Sequence, residues 1–155
     1  MATATISASK TVSADRDDLW AVLADFPNIA DWSAGVKRSY ATSSSDTGVG
    51  AQRHCDLSPA GALEETIQEF VPGERMVISI DKASVVPIKS SLTTFELRDA
   101  EDGSGGTEVS VTAQTQPKGG PLSPIIARRM AKGLTKGLAG LIDELDTAAR
   151  ARAVG

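Results

Sequence analysis

From residue 3 to residue 12 the chain alternates, with Ile6, Ala8 and Val12 on one side and Thr5, Ser7, Ser9 and Thr11 on the other. A period of two marks a strand with one buried face. The period then changes. Leu19, Val22, Leu23 and Phe26 recur at helical spacing, which predicts a helix that buries one side. Ser13 is its expected N-cap, and Asp15, Asp17 and Asp18 favour the positive end of the helix dipole. Pro27 ends this helix, and Asn28–Trp32 predicts a second, short one.

Further strands are predicted at 36–42, 51–57, 62–71, 75–82, roughly 88–98 and 107–117. Their joints are SSSDTGVG, SPAG, PGE, the SVVP segment and the glycine-rich DAEDGSGG. PKGGPLSP breaks the sheet, and residues 122–150 carry a long helical pattern. The predicted order is one strand, two helices, six strands and one long helix. Six successive strands in hairpin order make an antiparallel sheet. A sheet that is hydrophobic on one face needs a cover, and only the last helix is long enough to provide it. Space left between a curved sheet and a single helix is where a ligand would sit.

Composition narrows the picture without redirecting it. A chain of 155 residues is one domain, read here as residues 1–150 with a short tail at 151–155. Hydrophobic residues make up 41% and charged residues 23%, as in ordinary globular proteins. No apolar run approaches the roughly 18 residues of a membrane span, so stable membrane insertion is not expected. MATATISASKTV has neither a basic start nor an apolar core, unlike a signal peptide. The single cysteine, Cys55, excludes an internal disulfide and fits a reducing, cytoplasmic compartment. A net charge of −4 argues against nucleic acid as a partner. One His and one Cys are too few for a zinc site of the usual kind.

Several segments carry a family resemblance: VSADRDDLWAVLADF (12–26), PNIADW (27–32), GVGAQR (48–53), LEETIQEFVPGER (63–75), GGTEVSV (105–111) and the terminal helix. In this order the chain resembles the START-like, helix-grip superfamily, in its SRPBCC branch of polyketide cyclases and lipid-transport proteins. The resemblance implies an α+β fold. A curved seven-stranded antiparallel sheet would wrap around the C-terminal helix, with two short helices after the first strand and an internal cavity for apolar molecules. Carriers, receptors, cyclases and regulators all use this fold, so it implies function less firmly.

Glu65 shares strand parity with Leu63, Ile67 and Glu69. In relatives with this pattern the glutamate points into the cavity and orients the ligand's polar end; the alternative is a partly solvated residue near a strand end. Arg53 lies on one strand face with Cys55 and Leu57. If that face is inward, Arg53 can pair with Glu65 or hold a carboxylate or phenolate; otherwise its stem covers core and its head reaches water. A lone buried charge is costly, which favours the two inward together. His54 alternates to the opposite face and is expected on the solvent side; its neighbour Cys55 is expected as a small buried hydrophobe. Tyr40 and Ser33 are candidate polar contacts at the cavity mouth, whereas Trp20 and Trp32 are assigned to packing. Arg128, Arg129, Lys132 and Lys136 oppose the helix dipole and are read as a solvated face, with an anionic lipid surface or acidic partner as the alternative.

The expected pocket walls are Ile67, Ile78, Ile80, Phe95, Leu97, Val109 and Val111 from strands, with Met130, Leu134, Leu138 and Leu141 from the helix. Gly133, Gly137 and Gly140 form a stripe along one edge of that helix's apolar arc, where each costs about 1 kcal/mol against alanine. The stripe fits either the close approach of a neighbouring backbone or a slot at the cavity margin.

A carrier needs apolar walls and one or two orienting polar groups, and this inventory supplies them. The expected function is therefore binding or transport of a hydrophobic small molecule or lipid, without metal or cofactor. A polyketide aromatase/cyclase working through Glu65, Arg53 and Tyr40 is the second reading, so enzyme activity stays open. The third is a regulatory or toxin–antitoxin interaction module. A homodimer is compatible with all three.

Overall fold

The computed structural model describes residues 4–117 and 124–154, apart from the side chains of residues 124–127 and 130. The chain runs through β1 (Ala4–Val12), α1 (Arg16–Ala24), a 3₁₀ segment (Phe26–Asp31) and β2 (Val36–Ala41). It continues through β3 (Gln52–Leu57), β4 (Ala62–Val71), β5 (Arg75–Ser84), β6 (Ile88–Asp99), β7 (Thr107–Pro117) and α2 (Pro124–Val154). The seven strands form one antiparallel sheet in the order β1-β7-β6-β5-β4-β3-β2. Consecutive strands from β2 to β7 pair as hairpins, and β1 closes onto β7.

Two expected helix features differ. Asp15, not Ser13, occupies the N-cap of α1, and it makes no side-chain cap bond. Phe26 lies beyond α1, at the start of the 3₁₀ segment, because Pro27 ends one helix and begins the next. Leu19, Leu23 and Phe26 are nevertheless all buried, so the predicted face is the buried one.

The main core joins the inner sheet face to α1 and to the second half of α2. Met76, Ile78, Phe95, Leu97, Val109 and Val111 pack there with Ile142, Leu145 and Ala149. A second, smaller cluster of Ile80, Ala83 and Ile88, flanked by Leu63 and Val86, sits apart from it. Gly61 shapes this end: its φ is +106°, and a Cβ there would lie 2.8 Å from the Ser84 carbonyl oxygen, so only glycine lets the two turns approach.

The second half of α2 is anchored at several points. Lys10 Nζ donates to Asp143 at 2.8 Å, the Ala14 amide to Asp146 at 3.1 Å, and the Ala34 amide to Glu144 at 2.7 Å. The first half is different. Gly133, Leu134, Thr135, Lys136 and Gly137 are all exposed. A Cβ on Gly133, Gly137 or Gly140 would meet nothing within 4 Å. Among the described residues, the expected close approach of a neighbouring backbone is therefore absent at all three. Burial of Ile142 and Leu145 contributes about 1.5–3 kcal/mol each, enough to offset the glycine cost elsewhere in the helix.

Candidate functional site

Alternation along β3 and β4 sends Arg53, Cys55, Glu65 and Ile67 to the inner face, and all four are buried. The β3–β4 register places Arg53 directly opposite Glu65. Arg53 Nε donates to Glu65 Oε1 at 2.9 Å, and its Nη1 donates to the Phe26 carbonyl at 2.8 Å. The guanidinium carbon lies 3.9 Å from the Phe26 ring centroid, a cation–π contact. Cys55 Sγ donates to the same Glu65 oxygen at 3.4 Å. Burial, followed by the neighbouring Glu65 charge, pushes the Cys55 thiol up to about 12. It is a packed thiol, not a nucleophile.

The rest of this pair's bonding capacity is unused. Glu65 Oε2 and Arg53 Nη2 have no hydrogen-bond partner among the described residues. No fully buried side-chain nitrogen or oxygen among those residues lacks a partner. Both atoms therefore border space that water can reach, although their side chains are only 10% and 6% exposed.

Sheet register continues this row inward. Glu65 stands opposite Ile80, Ile80 opposite Ser91, and Ser91 opposite Thr115. The Ser91 and Thr115 hydroxyls bond to each other at 3.0 Å. Ile80 belongs to the small cluster and its neighbour on the same face, Ile78, to the main core. The polar row thus crosses the sheet where the two hydrophobic clusters separate. Ser91, Thr115 and the Phe26 carbonyl were not among the expected residues. The alternations Ser91-Thr93-Phe95 and Val111-Ala113-Thr115 carried the signal for the two hydroxyls.

Other expected pocket residues fall in three groups. Ile67, Ile78 and Ile80 are buried on the inner face next to the polar row. Phe95, Leu97, Val109 and Val111 pack within the main core, the two valines with no exposure, because Ile142 and Leu145 cover that part of the sheet. On the helix, Leu138 and Leu141 are half-buried against the core and Leu134 is 36% exposed, while the side chain of Met130 lies outside the described residues.

Tyr40 departs from the expectation of a cavity contact. It pairs in register with His54, is 44% exposed, and stacks on the His54 ring at 5.1 Å between centroids, on the face opposite Arg53. His54 is on that outer face, as expected, and half-buried. Its Nδ1 meets Glu64 and its Nε2 meets Asp56 at 2.9 Å. These carboxylates, Glu64 foremost, raise its pKa above the ordinary 6.5. Ser33 is buried. Trp20 and Trp32 pack against the core, Trp20 edge-on to Phe70.

Arg128, Arg129, Lys132 and Lys136 are exposed on α2 and form no ion pair among the described residues. The sequence has no acidic residue between Glu108 and Asp143. No group of three or more metal-ligating side chains among the described residues is arranged to hold a metal. No described helix is long and apolar enough to cross a membrane.

A seven-stranded antiparallel sheet packed against a long C-terminal helix is the helix-grip architecture. Residues 3–146 match the family described as polyketide cyclase / dehydrase and lipid transport, and the chain belongs to that family. No curated protein matches it in sequence. Among solved structures, it is similar to an uncharacterised Bacillus thuringiensis protein, with a TM-score of 0.73 at 18% identity over 94% of this chain and 98% of that one. It is also similar to Ara h 8.0201, with a TM-score of 0.71 at 11% identity over 97% and 99% of the two chains. XoxI from Bacillus cereus gives 0.69 at 16% identity, over 94% and 92%. At these identities the likeness establishes the fold alone.

Proposed function

We propose that this protein binds a hydrophobic small molecule or lipid between the inner sheet face and α2, and works as a carrier in the cytoplasm. The observation that carries the reading is the unused capacity of the buried pair. Glu65 Oε2 and the two N–H groups of Arg53 Nη2 offer an acceptor and donors to reachable space, beside the apolar Ile67, Ile78 and Ile80. Apolar walls with a few convergent polar groups are what a small-molecule site needs. The family's description, which includes lipid transport, supports the same reading.

Catalysis is less well served. One oxygen of Glu65 is occupied by Arg53 and Cys55, the thiol is held protonated, and Tyr40 and His54 face away. A cyclase needs placed acid and base groups around its substrate, and Glu65 alone is an incomplete set.

Native mass spectrometry of protein freshly purified from expressing cells tests the proposal. A co-purified apolar molecule, lost on Ile78→Glu, is the expected result. A bare mass, together with no binding to a broad panel of lipids and polyketides, would overturn it and favour an interaction module.

A further inference from the structure

We propose that this protein docks peripherally on an anionic lipid surface, through the β5–β6 turn and the first half of α2. The inference stands independently of what lies between sheet and helix. It starts from where acidic residues are missing. The chain has 20 of them and a net charge of −4, yet none lies between Asp56 and Glu64, between Asp81 and Glu96, or between Glu108 and Asp143. These three segments meet at one end of the sheet. Ala62 pairs with Ser84, which sets the β3–β4 and β5–β6 turns side by side, and Ile88 pairs with Pro117, the last residue of β7. Six residues then separate β7 from α2, a link of at most about 25 Å. Asp143 is tied to Lys10, which pairs with Val109 near the start of β7. So short a link requires α2 to begin at the Pro117 end and run back toward Val109. The β6–β7 turn, at the opposite end, carries Asp99, Glu101 and Asp102. Charge is thus polarised along the sheet, which orients the acid-poor end toward anionic headgroups.

Two features of that end match a lipid surface. The first is its cations. Lys82 and Lys89 flank the β5–β6 turn, and Arg128, Arg129, Lys132 and Lys136 lie on α2; all six are exposed, and none forms an ion pair among the described residues. The four on α2 fall within about 100° of arc and about 12 Å of axis, on a face turned about 120° from the buried Ile142, Leu145 and Ala149. Like charges at this spacing repel, and cations in the first half of a helix oppose its dipole. A dense anionic surface offsets both penalties. The second feature is Val85, 77% exposed at the tip of the turn with φ +70°. A β-branched residue is strained in the left-handed region, and the turn alone would favour glycine or asparagine. Its neighbour Val86 packs on the small cluster of Ile80, Ala83 and Ile88, which fixes the tip. An apolar point between two lysines suits the boundary of headgroups and acyl chains: the valine enters while the ammonium groups stay at the phosphates. An acidic protein or a nucleic acid would answer the cations and leave Val85 in water.

Co-sedimentation of the full chain with vesicles tests this, with phosphatidylcholine alone against phosphatidylcholine mixed with phosphatidylglycerol. The expected result is at least about tenfold tighter binding to the anionic vesicles, lost in high salt. Arg128→Glu, Lys132→Glu and Lys136→Glu combined should remove at least about tenfold of that binding. This variant should fold at least as well as wild type, since acids suit this end of the helix. Val85→Asn keeps a residue that tolerates the turn and should weaken binding about threefold or more, the scale of partly burying one valine. Thermal melting checks the fold of both, and the wild-type comparison stands even if a variant fails to fold. Equal binding to the two vesicle types, no binding to either, or full binding by the charge-reversed variant would overturn the proposal. So would undiminished binding by Val85→Asn, which would leave a purely electrostatic face that an acidic protein or a nucleic acid fits as well. None of these outcomes bears on the ligand-binding reading.

Discussion

Arg53 and Glu65 close a 2.9 Å ion pair across the β3–β4 hairpin, under the Phe26 ring, with nine-tenths or more of each side chain buried. A buried pair of this kind is weak evidence of stabilisation as a pair, yet its halves depend strongly on one another. Glu65→Ala strands the guanidinium, with an expected loss of about 3–5 kcal/mol. Arg53→Met with Glu65→Leu should lose much less than the two single truncations together. Urea unfolding of the four proteins measures the coupling, and strictly additive losses would mean the pair is not a unit.

His54 gives the protein a pH-dependent tie on its outer face. Each ring nitrogen faces a carboxylate, Glu64 and Asp56, so both bonds need the doubly protonated ring. The folded-state pKa is raised above 6.5 by those partners, Glu64 first. A raised pKa stabilises fully below the unfolded value, and the contribution is lost as pH rises through the folded value. The stability gap between wild type and His54→Gln should therefore be largest in mild acid and shrink toward alkaline pH. Because the chain has one histidine, its imidazole NMR signal reports the titration directly. A midpoint at or below 6.5 would contradict the geometry.

Cys55 should resist alkylation. Its thiol is buried and pushed up to about 12, mainly by that burial. Iodoacetamide at mildly alkaline pH should leave the folded protein unmodified and label it rapidly in denaturant, as read by intact mass. Comparable rates in the two states would mean the β3–β4 pair opens readily.

The helix glycines should be replaceable by alanine. Among the described residues nothing lies within 4 Å of a Cβ at Gly133, Gly137 or Gly140. Each Gly→Ala change is expected to stabilise by about 0.5–1 kcal/mol through lost backbone freedom in the unfolded chain. Thermal melting of the triple variant should show the gain. A lower melting temperature would reveal a neighbour that these positions must accommodate.

Much of the inner face could be read from period-two alternation, because burial forces alternate residues of a strand to one side. That logic placed Arg53, Cys55 and Glu65 together. It failed where the register breaks. The irregularity between Ile67 and Glu69 leaves Gln68 without a register partner on β5 and turns Phe70 toward Met76 and the core, against simple parity. Tyr40 escaped for a similar reason. The shift between Val36 and Arg38 brings it onto His54, which no local pattern records. The Phe26 carbonyl under Arg53 is a contact 27 residues apart in sequence, set by how the 3₁₀ segment docks rather than by any motif. The glycine stripe was visible, but its surroundings depend on what the helix leaves uncovered.

That uneven cover makes α2 a cantilever. Its far half is clamped by Asp143, Glu144 and Asp146 and by the fully buried Ile142, Leu145 and Ala149. Among the described side chains of the first half, Arg128, Arg129 and 132–137 are exposed and take no part in that clamp. None of the anchoring bonds lies in that half, so local opening there should cost less than in the clamped half. Amide exchange should accordingly run faster at 131–137 than at 141–149. A beam fixed at one end can deflect while the core beneath its clamp stays closed.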